Sequence, residues 1–495
     1  MSTHADNGNV VSPFEDPAEI QDGLEDEEDD DSFFDVIPPT HDRRTLVLCF
    51  DGTGDQFDDD NSNVVQLVSM LKKDDPAQQM VYYQTGVGTY TGPGATLTFT
   101  RKFWKVVDLA VAWSLHSHVQ DGYEFLMQHY QAGDKICIFG FSRGGYIARA
   151  LAGMLHKVGL LPTGNYQAVP FAYKMFKREG KKAWKQSTAF KKAFCVDVEV
   201  EFLGVWDTVA SVGFIPRHLP FTTNNTSIKT FRHALSLDER RIKFKANHWH
   251  KYSPDQEKLG TQPGEMPNPH RKPTFLRANK HPGVQSAAGR ALARNGSLYG
   301  GRSWQKTDVL EVWFAGCHTD VGGGSVSNDT RHSLARIPLR WMIRQCFLAR
   351  TGIMFHGKLL KQIGLDPDSL HPIVKPRPSP INMEIEFGSL GRMANEEEED
   401  LADSLCPLYD ELVTAKWWWL LEIMPFRDRE QKQDGSWISK WIVNLGRPRK
   451  IPETHLQSGV KVHRTVKTRM ETSDLLKDGK YTPRVIFEGE PAWVD

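Results

Sequence analysis

The segment Lys135 to Gly159, KICIFGFSRGGYIARALAGMLHKVG, narrows the choice of fold more than any other stretch of this chain. It opens on the apolar run Ile136 to Phe139, of the kind a strand buried on both faces needs. Gly140-Phe141-Ser142-Arg143-Gly144 follows, a G-x-S-x-G pattern. Ile147, Leu151, Met154, Leu155 and Val158 then recur at helical spacing, and Gly159 supplies a C-terminal stop. Strand, sharp turn and helix, in that order, form the setting in which such a serine becomes an exposed nucleophile. The turn would hold Ser142 in a strained backbone conformation, and a Cβ at Gly140 or Gly144 would crowd it. The helix N-terminus behind the serine favours negative charge building up beside it. A structural strand–helix turn without chemistry is the competing reading of the same residues.

With 39% hydrophobic and 25% charged residues among 495, the chain can bury a large core and is not a disordered protein. Its net charge of −1 hides an asymmetry: Glu25 to Asp31 are seven consecutive acids, and residues 1–42 carry almost no bases. These residues read as a disordered acidic tail with one apolar island, Phe33-Phe34. Residues 43–495 read as one domain with insertions. The six cysteines have no metal-type spacing, and three lie in strand-like runs, which predicts buried free thiols and a reducing compartment. The N-terminus shows no basic or apolar signal region, and no apolar stretch approaches the ~18 residues a membrane span needs, so a cytoplasmic location is expected. Neither a cofactor motif nor a nucleic-acid-binding pattern is apparent, so no cofactor, no metal and no nucleic-acid partner are expected.

Leu46 to Phe50 reads as a buried strand, and Asp51-Gly52-Thr53-Gly54 is the loop at its C-terminal end. Ligands of open α/β sheets bind at that end, so the loop is placed to lend backbone N–H groups to an oxyanion hole, with Arg143 beside Ser142. Ser62 to Leu71 and His116 to Gln131 read as helices, and Met80 to Thr85 as a strand. Residues 172–195 interleave eight lysine and arginine residues with aromatics and predict a helical cap, whose basic face meets either solvent or an anionic lipid surface. Val198 to Trp206 is strand-like and ends in Asp207, whereas Ile228 to Ala246 looks helical with mixed charge. Residues 247–304 are polar and rich in Pro and Gly, and predict a long, partly disordered excursion. Leu310 to Phe314 returns to the sheet, followed by His318 and Asp320, and Leu334 to Phe347 is an amphipathic helix. The acid run Glu396 to Asp400 reads as surface, and Trp417 to Leu421 as a core helix or else a lid edge. His463 precedes a short helix, and the last fifteen residues can add an edge strand.

A serine hydroxyl needs a histidine to take its proton and an acid to orient that histidine. In this architecture the partners follow in the order serine, acid, histidine. Asp320 is the first choice for the acid, because it follows the later strand and precedes a glycine run; Asp207 is the alternate. His463 lies beyond both acids and is the first choice for the base. His318 is the alternate, two residues from Asp320 and able to line the same cleft on extended backbone.

The segments FDGTG (50–54), GFSRGG (140–145), FLGVWDTV (202–209), RHALSLDERR (232–241), WFAGCHTDVGGG (313–324) and IPLRWM (337–342) together resemble one family. It is the DUF-type α/β-hydrolase family whose bacterial members include type VI secretion phospholipase effectors and which has many fungal members. The resemblance spans roughly residues 43–350. It implies a mostly parallel central sheet flanked by helices, a Ser-Asp-His triad with Ser142 as nucleophile, and hydrolysis of carboxylic esters, phospholipase A-type in the bacterial effectors. An ester or lipid is then the partner, with peripheral membrane contact. Two other readings compete. One is a silent binding protein that keeps the hydrolase fold. The other is an aspartate-nucleophile phosphatase, suggested by Phe50-Asp51-Gly52-Thr53 but opposed by Cys49 where a further carboxylate belongs.

Overall fold

The computed structural model describes residues 35–40, 43–53, 55–86, 101–209, 219–222, 225–250, 259–261, 265–266, 306–380, 395–432, 437–456, 459–472, 476, 479–487 and 489–495, with backbone alone for 101–114. The expected acidic tail through residue 34 and most of the excursion 247–304 lie outside these residues.

Eight parallel strands make the central sheet: β1 (Thr45–Phe50), β2 (Gln79–Gln84), β3 (Lys135–Phe141), β4 (Val200–Trp206), β5 (Ile228–Ser236), β6 (Asp308–Phe314), β7 (Lys461–His463) and β8 (Ala492–Val494). Their spatial order is β2-β1-β3-β4-β5-β6-β7-β8. The order reverses between β1 and β3, and ligands of such sheets gather at the carboxyl ends on either side of that reversal. This is the α/β-hydrolase arrangement, a parallel sheet flanked by helices.

Period-two side chains explain why these runs are strands. On β1, Leu46, Leu48 and Phe50 join the core on one face, while Val47 and Cys49 join the core on the other. On β3, Ile136 and Ile138 face the first side and Cys137, Phe139 and Phe141 the second. Helices α2 (Arg101–His129), α3 (Ser142–Val158), α4 (Val169–Lys177) and α5 (Lys181–Phe194) supply the first core. Helices α1 (Asn63–Met70) and α7 (Arg336–Leu348), with the short α6 (His318–Gly322) between β6 and α7, supply the second. Leu48 is fully buried, and truncating such a side chain to alanine costs about 2–5 kcal/mol. Among the described residues no helix is long and apolar enough to cross a membrane.

Several expectations are corrected. Ile228 to Ser236 is not helical but strand β5, buried along most of its length. Its charged residues disguised it: Arg232 is buried against Gln345 and Asp308, and His233 against Glu311. Helix α2 starts at Arg101, well ahead of His116. Inside the expected tail, Val36–Ile37 pairs antiparallel with Phe355–His356. The acid run does not lie on the surface. It opens α8 (Glu396–Ser404), which buries Glu396, Glu399, Asp400 and Asp403. Their counterions are arginines: Arg340 reaches Asp400 at 2.5 Å and Asp403 at 2.6 Å, Arg377 reaches Asp400 at 2.8 Å, and Arg344 holds Glu396. Trp417 to Leu421 is not a core helix, for Trp417 and Leu420 are about half exposed. The expected edge strand is present as β8, and His463 ends β7 before α9 (Arg464–Glu471).

Candidate active site

Ser142 is the first residue of α3 and has φ of 56°, a left-handed conformation that a serine adopts only under constraint. Two glycines enforce the turn. A Cβ on Gly140 would lie 2.6 Å from the Gly144 carbonyl carbon, and a Cβ on Gly144 would lie 2.2 Å from Phe50 O and 2.4 Å from Asp51 O. The end of β1 therefore packs directly on the turn that carries the serine.

Asp207 follows β4, next to β3, and it too has a positive φ, 38°. Its amide donates to Ala234 O at 2.7 Å, which ties the loop to β5. The carboxylate is fully enclosed and fully engaged. Oδ1 accepts from Arg449 Nη1 at 2.6 Å and from Ser236 N at 3.0 Å. Oδ2 accepts from His318 Nδ1 at 2.5 Å and from Arg449 Nη2 at 2.8 Å. Burial alone would raise the acid's pKa, but the Arg449 charge and the His318 hydrogen bond outweigh it and hold the carboxyl well below the usual carboxylate range.

His318 starts α6, at the end of β6. With Nδ1–H donated to Asp207, Nε2 carries the lone pair; that atom is buried and has no hydrogen-bond partner among the described residues. The ring packs against Phe141, the residue before Ser142, at a centroid distance of 4.6 Å, and Phe244 meets it edge-on at 4.7 Å. Burial lowers the imidazole's pKa, and the Asp207 carboxylate partly offsets this. The structure thus joins His318 to Asp207. Across the turn, Val209 N donates to Ser142 O at 3.4 Å, linking the Asp207 loop to the serine.

Asp320 and His463 sit in other surroundings. Asp320 Oδ2 accepts from Cys317 N at 2.8 Å, closing the N-terminus of α6, and from Tyr409 N at 3.0 Å. Burial pushes its carboxyl up to about 7. His463 Nδ1 pairs with the Thr465 hydroxyl at 2.8 Å, and the ring stacks on Phe314 at 4.9 Å; burial lowers its pKa to about 3. Among the described residues, no carboxylate is hydrogen-bonded to His463. The structure therefore brings neither residue of that first-choice pair to the other.

Asp51 turns its side chain inward, accepting from Gly52 N at 2.9 Å, Ser62 Oγ at 2.6 Å and Tyr83 OH at 2.7 Å. Both oxygens are occupied, which leaves the carboxylate a poor nucleophile. Gly52 N–H is likewise engaged, whereas Thr53 Oγ1 is buried without a hydrogen-bond partner. Asp55, under the same loop, is raised to about 8 by burial and then by Asp51, and the Arg143 charge pulls it partly back. The sequence reading missed Arg449, Ser236 and Phe244. Arg449 lies more than 240 residues from the acid it grips, and no local pattern marks it.

Two further groups place donors close enough to share an ion: His248, Glu311 and His455, and His332, Glu399 and Asp403. In the first, Glu311 already accepts from His233 at 2.8 Å and Trp249 N at 3.1 Å. In the second, Arg331 and Arg340 engage the two acids.

An uncharacterized protein of Saccharomyces cerevisiae, YEL023C, is 27% identical over 538 residues, covering 84% of this chain and 78% of the yeast protein. Two solved structures are also similar. One is an uncharacterized protein from Pseudomonas aeruginosa, 18% identical with a TM-score of 0.34, covering 63% of this chain and 46% of the other. The second is the Tle1 effector bound to the VgrG spike from the type 6 secretion system, 16% identical with a TM-score of 0.27, covering 65% of this chain and 62% of the other. The profile of the catalytic domain of Tle1-like phospholipase effectors of the type VI secretion system matches residues 44–345, well over half of the chain. The chain belongs to that family of phospholipase-type catalytic domains, whose activity class is the hydrolysis of lipid esters.

Proposed function

We propose that this protein is a serine lipase of phospholipase type that cleaves a carboxylic ester through an acyl-enzyme on Ser142, with His318 as base and Asp207 as the orienting acid. One observation carries the reading. A histidine that donates one nitrogen to an ionised, buried carboxylate keeps its other nitrogen buried and unpartnered, next to the residue preceding a strained serine.

His318 Nε2 accepts the Ser142 proton as Oγ attacks the acyl carbonyl. Asp207 fixes the tautomer and stabilises the imidazolium that forms, and Arg449 keeps Asp207 ionised. The oxyanion grows at the N-terminus of α3, where the Arg143 N–H and the Thr53 group at the adjoining loop are the donors. His318 then gives its proton to the departing alcohol. Water, deprotonated by the same nitrogen, releases the acyl group as a carboxylic acid and restores Ser142. A phospholipid as the ester rests on family membership.

A fluorophosphonate probe on the purified full chain tests the assignment. Labelling should occur, vanish in Ser142→Ala, drop steeply in His318→Ala and persist in His463→Ala. Folded wild-type protein that takes no label would mean a silent scaffold. Labelling lost in His463→Ala but kept in His318→Ala would move the base to His463.

A further inference from the structure

Most of the exposed large apolar side chains in the C-terminal part of the chain crowd into residues 413–445. Trp417 is 47% exposed, Leu420 57%, Ile423 58%, Leu445 50% and Trp441 72%. Isolated exposed leucines are ordinary, but clustering at this density marks an interaction surface. The cluster is tied together: Leu445 N donates to Glu422 O at 3.1 Å, and Trp419 packs against Gly446.

The charges of this region are sorted by sign. Every charged residue described as exposed between 411 and 450 is a cation: Lys416, Arg427, Arg429, Lys432, Lys440, Arg447 and Lys450. Of the described acids here, Glu422 and Asp428 are buried, and Glu411 and Glu430 are partly covered, Glu430 pairing with Lys440 at 2.9 Å. On the antiparallel hairpin of Phe426–Gln431 with Trp437–Ile442, Arg427 stands directly opposite Trp441 and Arg429 opposite Ser439, so two guanidiniums and an indole share one outer face.

This surface adjoins the candidate site. Trp418 meets Phe244 edge-on at 5.5 Å, and Phe244 meets the His318 ring at 4.7 Å. Arg241 lies over both Trp418 and Phe244.

We infer that residues 413–432 and 437–445 form a docking surface for an anionic lipid bilayer, which holds the side of the molecule next to the candidate site against the membrane. Indoles and branched aliphatics enter the headgroup boundary, and cations beside them meet the negative surface potential. The inference deepens the lipase reading and rests on it for its purpose, while the binding itself is read without catalysis.

The test is sedimentation of the full chain with vesicles of phosphatidylcholine alone and of phosphatidylcholine with phosphatidylserine. Binding should require phosphatidylserine, weaken with salt, and be as strong for Ser142→Ala as for wild type. Leu420→Ser/Trp441→Ser and, separately, Arg427→Glu/Arg429→Glu should lose partitioning, the second by at least about 25-fold, while both keep wild-type circular dichroism and hydrolysis of a short soluble ester. Trp441→Ser alone, on the far hairpin, guards against a folding defect in the double variant. Wild type that ignores anionic vesicles, or variants that bind as wild type does, would overturn the proposal. So would a dimer broken by these substitutions in a protein that does not bind vesicles, since the face would then join two copies. Vesicle binding without any hydrolysis would sink the lipase reading and leave the docking surface standing.

Discussion

Among the described residues, two buried histidine–carboxylate pairs invite comparison: His233 on β5 with Glu311 on β6 and, beyond the carboxyl ends of β4 and β6, Asp207 with His318, the pair that the proposed mechanism uses. His318 gives Nδ1–H to Asp207 at 2.5 Å, and His233 gives Nδ1–H to Glu311 at 2.8 Å. Burial lowers the pKa of both rings. Their far nitrogens differ. Nε2 of His233 accepts from Thr208 N at 3.1 Å, whereas Nε2 of His318 has no partner. The His233–Glu311 pair is a strut that holds the loop after Asp207. The His318–Asp207 pair keeps a lone pair that the proposed mechanism uses for the serine proton. A carboxylate beside an imidazole is therefore no signature of catalysis by itself; the second nitrogen decides.

The largest expected effect that would break this contrast comes from the acids. Asp207→Asn should cost about 10⁴-fold in kcat by trapping the wrong tautomer of His318, while Glu311→Gln should leave turnover nearly intact. Steady-state kinetics on a soluble ester would decide, and equal losses would erase the distinction. Next comes stability. His233→Ala should lower it on the order of 1.5–3 kcal/mol, the worth of a hydrogen bond to a buried charge, with little change in turnover per folded molecule. Denaturant melts paired with active-site titration would show whether the two quantities separate.

The pH profile sharpens the contrast further. In the proposed mechanism only neutral His318 takes the proton, and burial holds its pKa below the ordinary value near 6.5. The acid limb of kcat/KM should lie below that value and shift lower still in Asp207→Asn, because that carboxylate raises the imidazole's pKa. A limb above it would place the base elsewhere. The smallest effect belongs to Asp320. Its carboxyl is raised to about 7 in the folded protein, so the proton-linked stability it provides is complete below its ordinary value near 3.9 and is lost as pH rises through 7. Asp320→Asn keeps an acceptor for Cys317 N and Tyr409 N, and its melting temperature relative to wild type should improve between pH 5 and pH 8.

The sheet was legible in the sequence wherever strands were purely apolar, as in TLVLCF and KICIF. Strand β5 was not, because IKTFRHALS carries an arginine and a histidine whose partners come from 76 to 113 residues away. The serine was legible because a turn that needs glycine at two fixed positions leaves a local trace. The partners proposed for it left a weaker trace. Asp207 and His318 were visible as residues at strand ends, but ranking them against Asp320 and His463 required knowing where each side chain's hydrogen bonds go. Asp320 follows a strand just as Asp207 does, and what separates them is Arg449, which nothing local announces. The acid run misled for a similar reason: its cations lie on α7 and in the segment around Arg377, not beside it in the chain.

That ion network has a consequence for anyone dissecting the molecule. The family profile stops at residue 345, yet Arg340 and Arg344 on the near side of that boundary are buried and matched by acids some fifty to sixty residues beyond it. Asp207 likewise leans on Arg449. A recombinant piece cut at the profile's edge would strand guanidiniums in a dry interior without counter-charge, a penalty of several kcal/mol for each such ion. The unit that can be recognised by resemblance is therefore smaller than the unit that can stand alone.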